Sequence, residues 1–165
     1  MIETAKQEKP LRNYDVKIRG YKSTDLPRMQ KLEQICFPPG QAFDRQTLLH
    51  LINDFNSIVL CLICEPDELL GFLIFSEIGL DVWELMTIEI HPKARREGFG
   101  YKLLAEGMAM TEKREPRKIL LHVSSINENA IKLYTKFGFN IVKSIRNYYN
   151  IGQSAYLMHK EFKND

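Results

Sequence analysis

The sequence predicts a single mixed α/β domain in which most of the sheet is antiparallel. The chain has 165 residues, and a domain usually holds about 100–200. Hydrophobic residues make up 44% and charged residues 27%, an ordinary globular composition that excludes disorder. Apolar residues follow strand and helix spacings in the order β-α-α-β-β-β-α-β-α-β-β, which is typical of a mixed sheet. Residues 1–13 are polar and predict a flexible tail, which leaves residues 14–165 as the domain.

The N-terminal half is expected to hold one strand, two helices and then three strands. Val16 and Ile18 alternate with charged residues, which predicts a half-buried strand. Helical spacing of apolar residues predicts a helix that ends near Cys36, and Asp44 is a suitable N-cap for a second helix. The segment Phe37-Pro38-Pro39-Gly40 should end the first helix and separate it from the second. Strand-like patterns then cover residues 57–65, 69–77 and 81–91.

The C-terminal half is expected to alternate helices with strands before it ends in a strand pair. A helix is predicted at residues 98–114 and a strand at 118–124. Residues 127–137 follow as a helix, and Gly138 is placed to end it. Two last strands are predicted near residues 139–148 and 153–162.

Charge and cysteine content exclude several classes of protein. The 23 basic and 21 acidic residues leave a net charge of +2, too small to indicate nucleic-acid binding. No apolar run approaches the ~20 residues of a membrane span, and the N-terminus lacks the apolar region of a signal peptide. Three cysteines without a disulfide pattern indicate a reducing, cytoplasmic location. Cys61 and Cys64 should point to opposite faces of one strand as small buried hydrophobes, so we expect no metal site.

The most informative segment reads IEIHPKARREGFG and passes from a strand through a short loop into a helix. Gly98 and Gly100 stand at the junction, where glycine lets backbone N–H groups approach a ligand and the helix N-terminus attracts anions. Arg95 and Arg96 suit phosphate oxygens. Leu103 replaces the third glycine of a dinucleotide fingerprint, and the G-K-[S/T] triplet of a P-loop is absent. The sequence therefore predicts a pyrophosphate site of another type.

This R-x-x-G-x-G pattern, following a strand that ends at a proline, resembles the acetyl-CoA loop of the GNAT N-acetyltransferase superfamily. The resemblance continues in NENAIKLYTKFGF, which is similar to the N-x-x-A-x-x-x-Y-x-x-x-G-F helix and turn of that superfamily. It covers about residues 16–162. Phe37-Pro38, Leu121-His122-Val123 and Asn147-Tyr148-Tyr149 are most similar to the protein N-terminal acetyltransferases, including the ribosomal-protein alanine acetyltransferases.

The resemblance implies a GNAT fold, with six to seven strands in a mixed, mostly antiparallel sheet, a splayed central parallel pair and four flanking helices. It also implies direct transfer of the acetyl group of acetyl-CoA to a protein N-terminal α-amine in a ternary complex. The N–H of Ile88 would face the thioester oxygen, and Asn127 would contact the amide portion of the cosubstrate. The residues expected to bind acetyl-CoA are Ile88, Glu89, Ile90, Arg95, Arg96, Glu97, Gly98, Phe99, Gly100, Tyr101, Asn127 and Tyr134.

Three residues are expected to be catalytic: Glu84, His122 and Tyr134. Tyr134 occupies the general-acid position of the superfamily, and a phenol of pKa ~10 can protonate a thiolate of pKa ~8.5. The alternative is a core aromatic. His122 and Glu84 lie on neighbouring predicted strands, and both remain candidates for the general base. The alternative is a buried Glu–His ion pair that holds the strands together.

The acceptor peptide is expected to pass between Phe37-Pro38 and the aromatic pair Tyr148 and Tyr149, with an uncharged first residue such as Met. The expected substrates are protein N-termini, and the ribosome or nascent chains are further expected partners. We expect no direct binding to nucleic acid or to a membrane. The expected assembly is a monomer or weak homodimer. Two alternatives remain: acetylation of lysine side chains or a small amine, and a non-catalytic acyl-CoA-binding partner subunit, against which Tyr134 and His122 argue.

Overall fold

A computed structural model describes residues 15–163, so the tail predicted at residues 1–13 lies outside the described residues. The described part contains seven strands and four α-helices in the predicted order. Two short 3₁₀ turns, Ser23–Asp25 and Pro92–Ala94, lie before α1 and α3. The elements are β1 Val16–Gly20, α1 Leu26–Cys36, α2 Arg45–Asn53, β2 Ser57–Cys64, β3 Glu68–Gly79, β4 Val82–Ile90, α3 Phe99–Glu112, β5 Lys118–Ser124, α4 Glu128–Lys136, β6 Asn140–Asn150 and β7 Gln153–Glu161.

The strands form one sheet in the order β1-β2-β3-β4-β5-β7-β6. All neighbouring strands pair antiparallel except β4 and β5, which run parallel. Their pairing covers only residues 82–85 of β4 and 118–121 of β5, after which the two strands separate. The predicted mixed sheet with one splayed parallel pair and four helices is confirmed.

Local sequence signals set the ends of the helices as predicted. The Asp44 carboxylate accepts the backbone N–H of Thr47 at 2.7 Å and caps α2. Gly138 follows α4 with a φ of +87°, a conformation that only glycine adopts at little cost. Helix α3 lies so close to the sheet that a Cβ atom at Gly107 would come within 2.8 Å of the Leu73 side chain. Glycine is therefore needed where α3 crosses β3.

The two faces of the sheet carry separate hydrophobic cores, one beneath α3 and α4 and the other beneath α1 and α2. Cys64 belongs to the first core and Cys61 to the second, which confirms the prediction that they point to opposite faces. Burial raises the pKa of the Cys61 thiol to about 12. Within residues 15–163, no three His, Cys, Asp or Glu side chains lie close enough together to hold a metal ion. None of the described helices is long and apolar enough to cross a membrane.

Candidate active site

The candidate site lies where β4 and β5 separate. The N–H of His91 donates to the Leu70 carbonyl at 2.7 Å. Because hydrogen bonding alternates along an antiparallel pair, the N–H groups of Ile88 and Ile90 point away from β3. They point into the opening that β5 leaves, which we call the seam. The backbone of Ile88 thus has the orientation that the sequence prediction requires.

A β-bulge turns β4 at the point where the seam opens. Ile74 of β3 is opposite Thr87 and Phe75 is opposite Leu85, so Met86 is an extra residue on β4. Leu85 packs into the core beneath α3, whereas Met86 packs against the core beneath α1 and α2. A bulge bends a strand and re-aims its side chains. It therefore separates the paired part of β4 from the part that borders the seam.

The predicted phosphate loop leads directly into α3. Arg96 and Gly98 both have positive φ, and Gly98 has open space where a Cβ atom would point. No side chain caps the N-terminus of α3, which begins at Phe99. The first N–H groups of a helix have no partner within it and carry the positive end of its dipole. The loop can therefore receive an anion on backbone donors.

The other predicted cosubstrate residues surround this loop or take a structural role. The Arg95 side chain donates to the Ile90 carbonyl at 3.0 Å and contacts the Cys36 sulfur. The exposed Tyr101 ring packs against Phe137. Asn127 caps α4 by accepting the N–H of Ala130 at 3.2 Å. Glu97 is half-buried beside Gly98.

His122 and Glu84 meet across the paired part of β4 and β5. The parallel register places Glu84 opposite Leu120, and the His122 Nδ1 atom lies 2.8 Å from Glu84 Oε1. Both side chains lie on the sheet face opposite Leu121, and their exposed fractions are 23% for His122 and 18% for Glu84. Solvent and small groups can thus reach the pair.

An irregularity in β6 brings the predicted aromatic pair to this site. Ile145 is opposite Ala155 and Asn150 is opposite Gln153, so residues 146–149 bulge out of the ladder. Asn147 adopts a positive φ within the bulge, which asparagine tolerates better than most residues, and its side chain accepts the Gly152 N–H. The Tyr148 ring stacks on His122, with ring centres 4.8 Å apart, and the Tyr149 ring packs edge-on against Tyr148.

Tyr134 is buried on α4, with 6% of its surface exposed, and its ring packs edge-on against Phe139. Burial, reinforced by neighbouring Tyr149, raises the pKa of the Tyr134 hydroxyl well above its ordinary value. Tyr134 therefore keeps its proton at neutral pH, and it is a weaker acid than the ordinary phenol assumed from the sequence. The loop that contains Phe37 and Pro38 approaches the β6–β7 hairpin through a hydrogen bond from Gln41 to Gln153.

One feature near the site was not predicted from the sequence, a pair of buried carboxyl groups from α1 and β4. Glu33 lies on α1 at helical spacing with Met29, Leu32 and Cys36, so a polar residue sits on the face that packs against the sheet. A glutamate on the apolar face of a predicted helix was the sequence signal that could have indicated a buried carboxyl group. The side chain of Glu89 points from β4 toward Glu33 and interacts with it.

Comparisons with known proteins agree with this geometry. The model of the Acetyltransferase (GNAT) family matches residues 26–139. The chain is 41% identical over 133 residues to N-alpha-acetyltransferase 50 of Danio rerio, covering 76% of this chain and 74% of that protein. It superposes on the ribosomal-protein-S18-alanine N-acetyltransferase of Escherichia coli with a TM-score of 0.81 and 26% identity, covering 92% of this chain and 96% of that one. Arabidopsis thaliana NAA60, crystallised with acetyl-CoA, shares the fold with a TM-score of 0.75 and 20% identity, covering 89% and 98%.

Proposed function

The chain belongs to the acetyltransferase (GNAT) family, and we propose that it acetylates the α-amino group at the N-terminus of peptides and proteins. The observation that carries this proposal is the accessible His122–Glu84 pair beside the seam. The named function of the Danio rerio relative supports an N-terminal acceptor.

In this proposal His122 is the general base and Glu84 orients it. The short contact from His122 Nδ1 to Glu84 Oε1 means that a neutral imidazole carries its proton on Nδ1. The Nε2 atom is then free to accept a proton, directly or through a water molecule. An α-amine with a pKa of ~8 needs only modest help at neutral pH, whereas a lysine amine with a pKa of ~10.4 needs more.

Backbone and phenol groups complete the transfer. The amine nitrogen forms a bond to the thioester carbon, and the N–H of Ile88 stabilises the negative charge that develops on the thioester oxygen. The carbon–sulfur bond then breaks, and in this proposal the buried Tyr134 hydroxyl donates a proton to the leaving sulfur. The uncapped N-terminus of α3 holds the pyrophosphate of acetyl-CoA on its backbone N–H groups.

The acceptor peptide enters between the loop of Phe37 and Pro38 and the ring of Tyr148, which stacks on the proposed base. Phe37, Pro38 and Tyr148 are uncharged, which favours an uncharged first residue of the peptide, such as Met. Nascent chains at the ribosome in the cytoplasm are the proposed natural substrates, and the proposed assembly is a monomer or weak homodimer.

Peptide pairs test the proposal. Each pair carries one sequence with an internal lysine, once with a free N-terminus and once with a blocked one, and mass spectrometry locates the added acetyl group. We expect acetylation of the free N-terminus alone. Acetylation of the lysine, or of free small amines in preference to peptides, contradicts an N-terminal acceptor, and acetyl-CoA binding without turnover on any amine contradicts catalysis.

Three substitutions test the assigned roles. His122→Ala, Glu84→Gln and Tyr134→Phe should each lower kcat by roughly 10²-fold or more, while the KM for acetyl-CoA changes little. His159→Ala is the matched control, because His159 also contacts a glutamate but lies away from the seam on β7. It should retain kcat within about twofold. Full turnover in all three variants would contradict the assignment.

A further inference from the structure

Glu33 and Glu89 form a buried carboxyl pair between α1 and β4. Their exposed fractions are only 1% and 3%. One oxygen of each is satisfied: Glu33 Oε2 accepts the backbone N–H of Phe43 at 2.8 Å, and Glu89 Oε1 accepts the hydroxyl of Thr87 at 3.1 Å. The pair therefore connects three segments, namely α1, the loop before α2, and β4.

The two remaining oxygens lack a donor. Glu33 Oε1 and Glu89 Oε2 are the buried side-chain oxygens in residues 15–163 for which the structure offers no hydrogen-bond partner. The two carboxyl groups nevertheless interact with each other. Two ionised carboxylates in contact would repel and would both lose their hydration. A proton held between them supplies the missing donor and removes the repulsion.

The surrounding groups do not replace that proton. The thiol of Cys36 lies beside both carboxyl groups, but its S–H donates to the Ile90 carbonyl at 3.7 Å, and burial raises its pKa, so it carries no charge at neutral pH. The Arg95 guanidinium, from the phosphate loop, is engaged by the Ile90 carbonyl and the Cys36 sulfur. Burial and the neighbouring Glu33 raise the pKa of Glu89 to about 11, and burial also raises the pKa of Glu33.

We propose that the proton shared by Glu33 and Glu89 ties the acceptor loop, residues 37–44, to the part of β4 that borders the seam. Glu33 and Glu89 are then positioning residues for acceptor binding, and this role rests on the proposed function. Residues 86–90 of β4 have no β5 partner, because the β4–β5 pairing ends at Leu85. Within that stretch of β4, the Glu89 side chain contacts Glu33 of α1. Through Glu33 it also holds the Phe43 N–H at the end of the loop.

The shared proton can be tested without any enzymatic assay. Unfolded glutamate releases its proton above pH ~4.3, whereas burial and the mutual contact of the folded pair raise its pKa far above that value. Unfolding therefore releases a proton between these two pKa values, and the unfolding equilibrium constant should rise about tenfold per pH unit from this source. In Glu89→Gln the amide donates permanently to Glu33, so the melting temperature should fall less steeply from pH 5.5 to 9.5 than in the natural chain. Parallel curves overturn the shared proton.

Hydrogen exchange and kinetics test the positioning role. Glu33→Ala should remove the protection of the Phe43 amide and raise the KM for peptide about tenfold, the equivalent of ~1.4 kcal/mol, while the acetyl-CoA dissociation constant changes by less than about twofold. Glu33→Gln keeps an acceptor for Phe43 and gains a donor for Glu89, so it should restore both values.

Leu32→Ala is the control, because it removes a buried neighbour on the same helix that does not contact the loop through a hydrogen bond. It should lower stability without raising the peptide KM. An equal rise in KM for Leu32→Ala, or no rescue by Glu33→Gln, overturns the positioning role. If the natural chain acetylates no peptide, the proposed function fails. The carboxyl pair is then tested by the Phe43 amide alone: its protection should be lost in Glu33→Ala and kept in Glu33→Gln, and unchanged protection in Glu33→Ala overturns the positioning role.

Discussion

The two ends of α1 each bury a carboxyl group, and they compensate it in opposite ways. Before the first turn, Asp25 is fully buried and accepts two hydrogen bonds from Arg19, at 2.7 and 2.9 Å, and one from Arg28 at 2.8 Å. It also accepts the backbone N–H of Lys22 at 2.8 Å. Near the last turn, Glu33 meets a second carboxyl group, that of Glu89, instead of a cation.

Burial alone therefore does not decide the ionisation of a carboxyl group. Burial would raise the pKa of Asp25, but the hydrogen bonds from Arg19 and from the Lys22 backbone N–H, together with the charges of Arg19 and Arg28, outweigh it and lower that pKa. At Glu33 burial prevails and the pKa is raised. The N-terminal end of α1 is thus fixed to β1 by full charges. The C-terminal end, beside the acceptor loop, depends on a proton.

The sharpest test replaces each carboxyl group by its amide. Asp25→Asn leaves the partly buried Arg19 with the exposed Asp67 carboxylate, 3.8 Å away, as its remaining ion pair and should cost about 3 kcal/mol of the free energy of unfolding. Glu33→Gln should cost less than about 1 kcal/mol, because the amide can both accept from Phe43 and donate to Glu89. Urea denaturation measures both. Equal losses would remove the distinction between the two ends.

A smaller effect comes from the arginines that compensate Asp25. Arg19→Ala removes two hydrogen bonds and should cost about 2 kcal/mol. Arg28→Ala removes one bond to Asp25, together with contacts to the exposed Asp67, from a more exposed side chain and should cost about 1 kcal/mol. Thermal unfolding of the two variants should preserve this order; the reverse order would mean that Arg28 is the main partner.

Acidification should weaken the Asp25 end of α1. The lowered pKa of Asp25 means that its contribution is fully present above the unfolded value of ~3.9 and is lost as the pH falls through the folded pKa. The difference in unfolding free energy between the natural chain and Asp25→Asn should therefore narrow below pH ~4. Denaturation at pH 5 and pH 3 measures the change. A constant difference would show that Asp25 is not held ionised by its partners.

The smallest effect is expected at Thr87, which donates to Glu89 from the same strand. Thr87→Val keeps the shape of the side chain and removes one neutral hydrogen bond, so it should cost about 1 kcal/mol or less. Because the shared proton remains, the pH dependence of the melting temperature should stay that of the natural chain. A shallower pH dependence would mean that the hydroxyl of Thr87, rather than the proton, holds the pair together.

Much of the fold could be predicted because its signals are local. Apolar spacing set the order of the strands and helices, Asp44 and Gly138 marked helix ends, and the glycines of the phosphate loop marked its turn into α3. The proximity of Glu84 and His122 was also within reach, because neighbouring strands that carry polar residues on one face bring them together.

The rest depended on contacts between segments distant in sequence. The stacking of Tyr148 on His122 requires the bulge in β6, whose extent is visible only in the register with β7. The orientation of the His122 ring follows from its bond to Glu84 rather than from either residue alone.

By itself, the sequence determined the order of elements, the phosphate loop and the identity of the polar residues on each strand, since periodicity, capping and turn preferences act over a few neighbouring residues. Only the tertiary structure decided the charge of those residues. Glu33 and Asp25 are both acidic groups buried at an end of α1. The cations or carboxyl group that the folded sheet places against each one determine whether it is ionised, because in a buried site the partner replaces water.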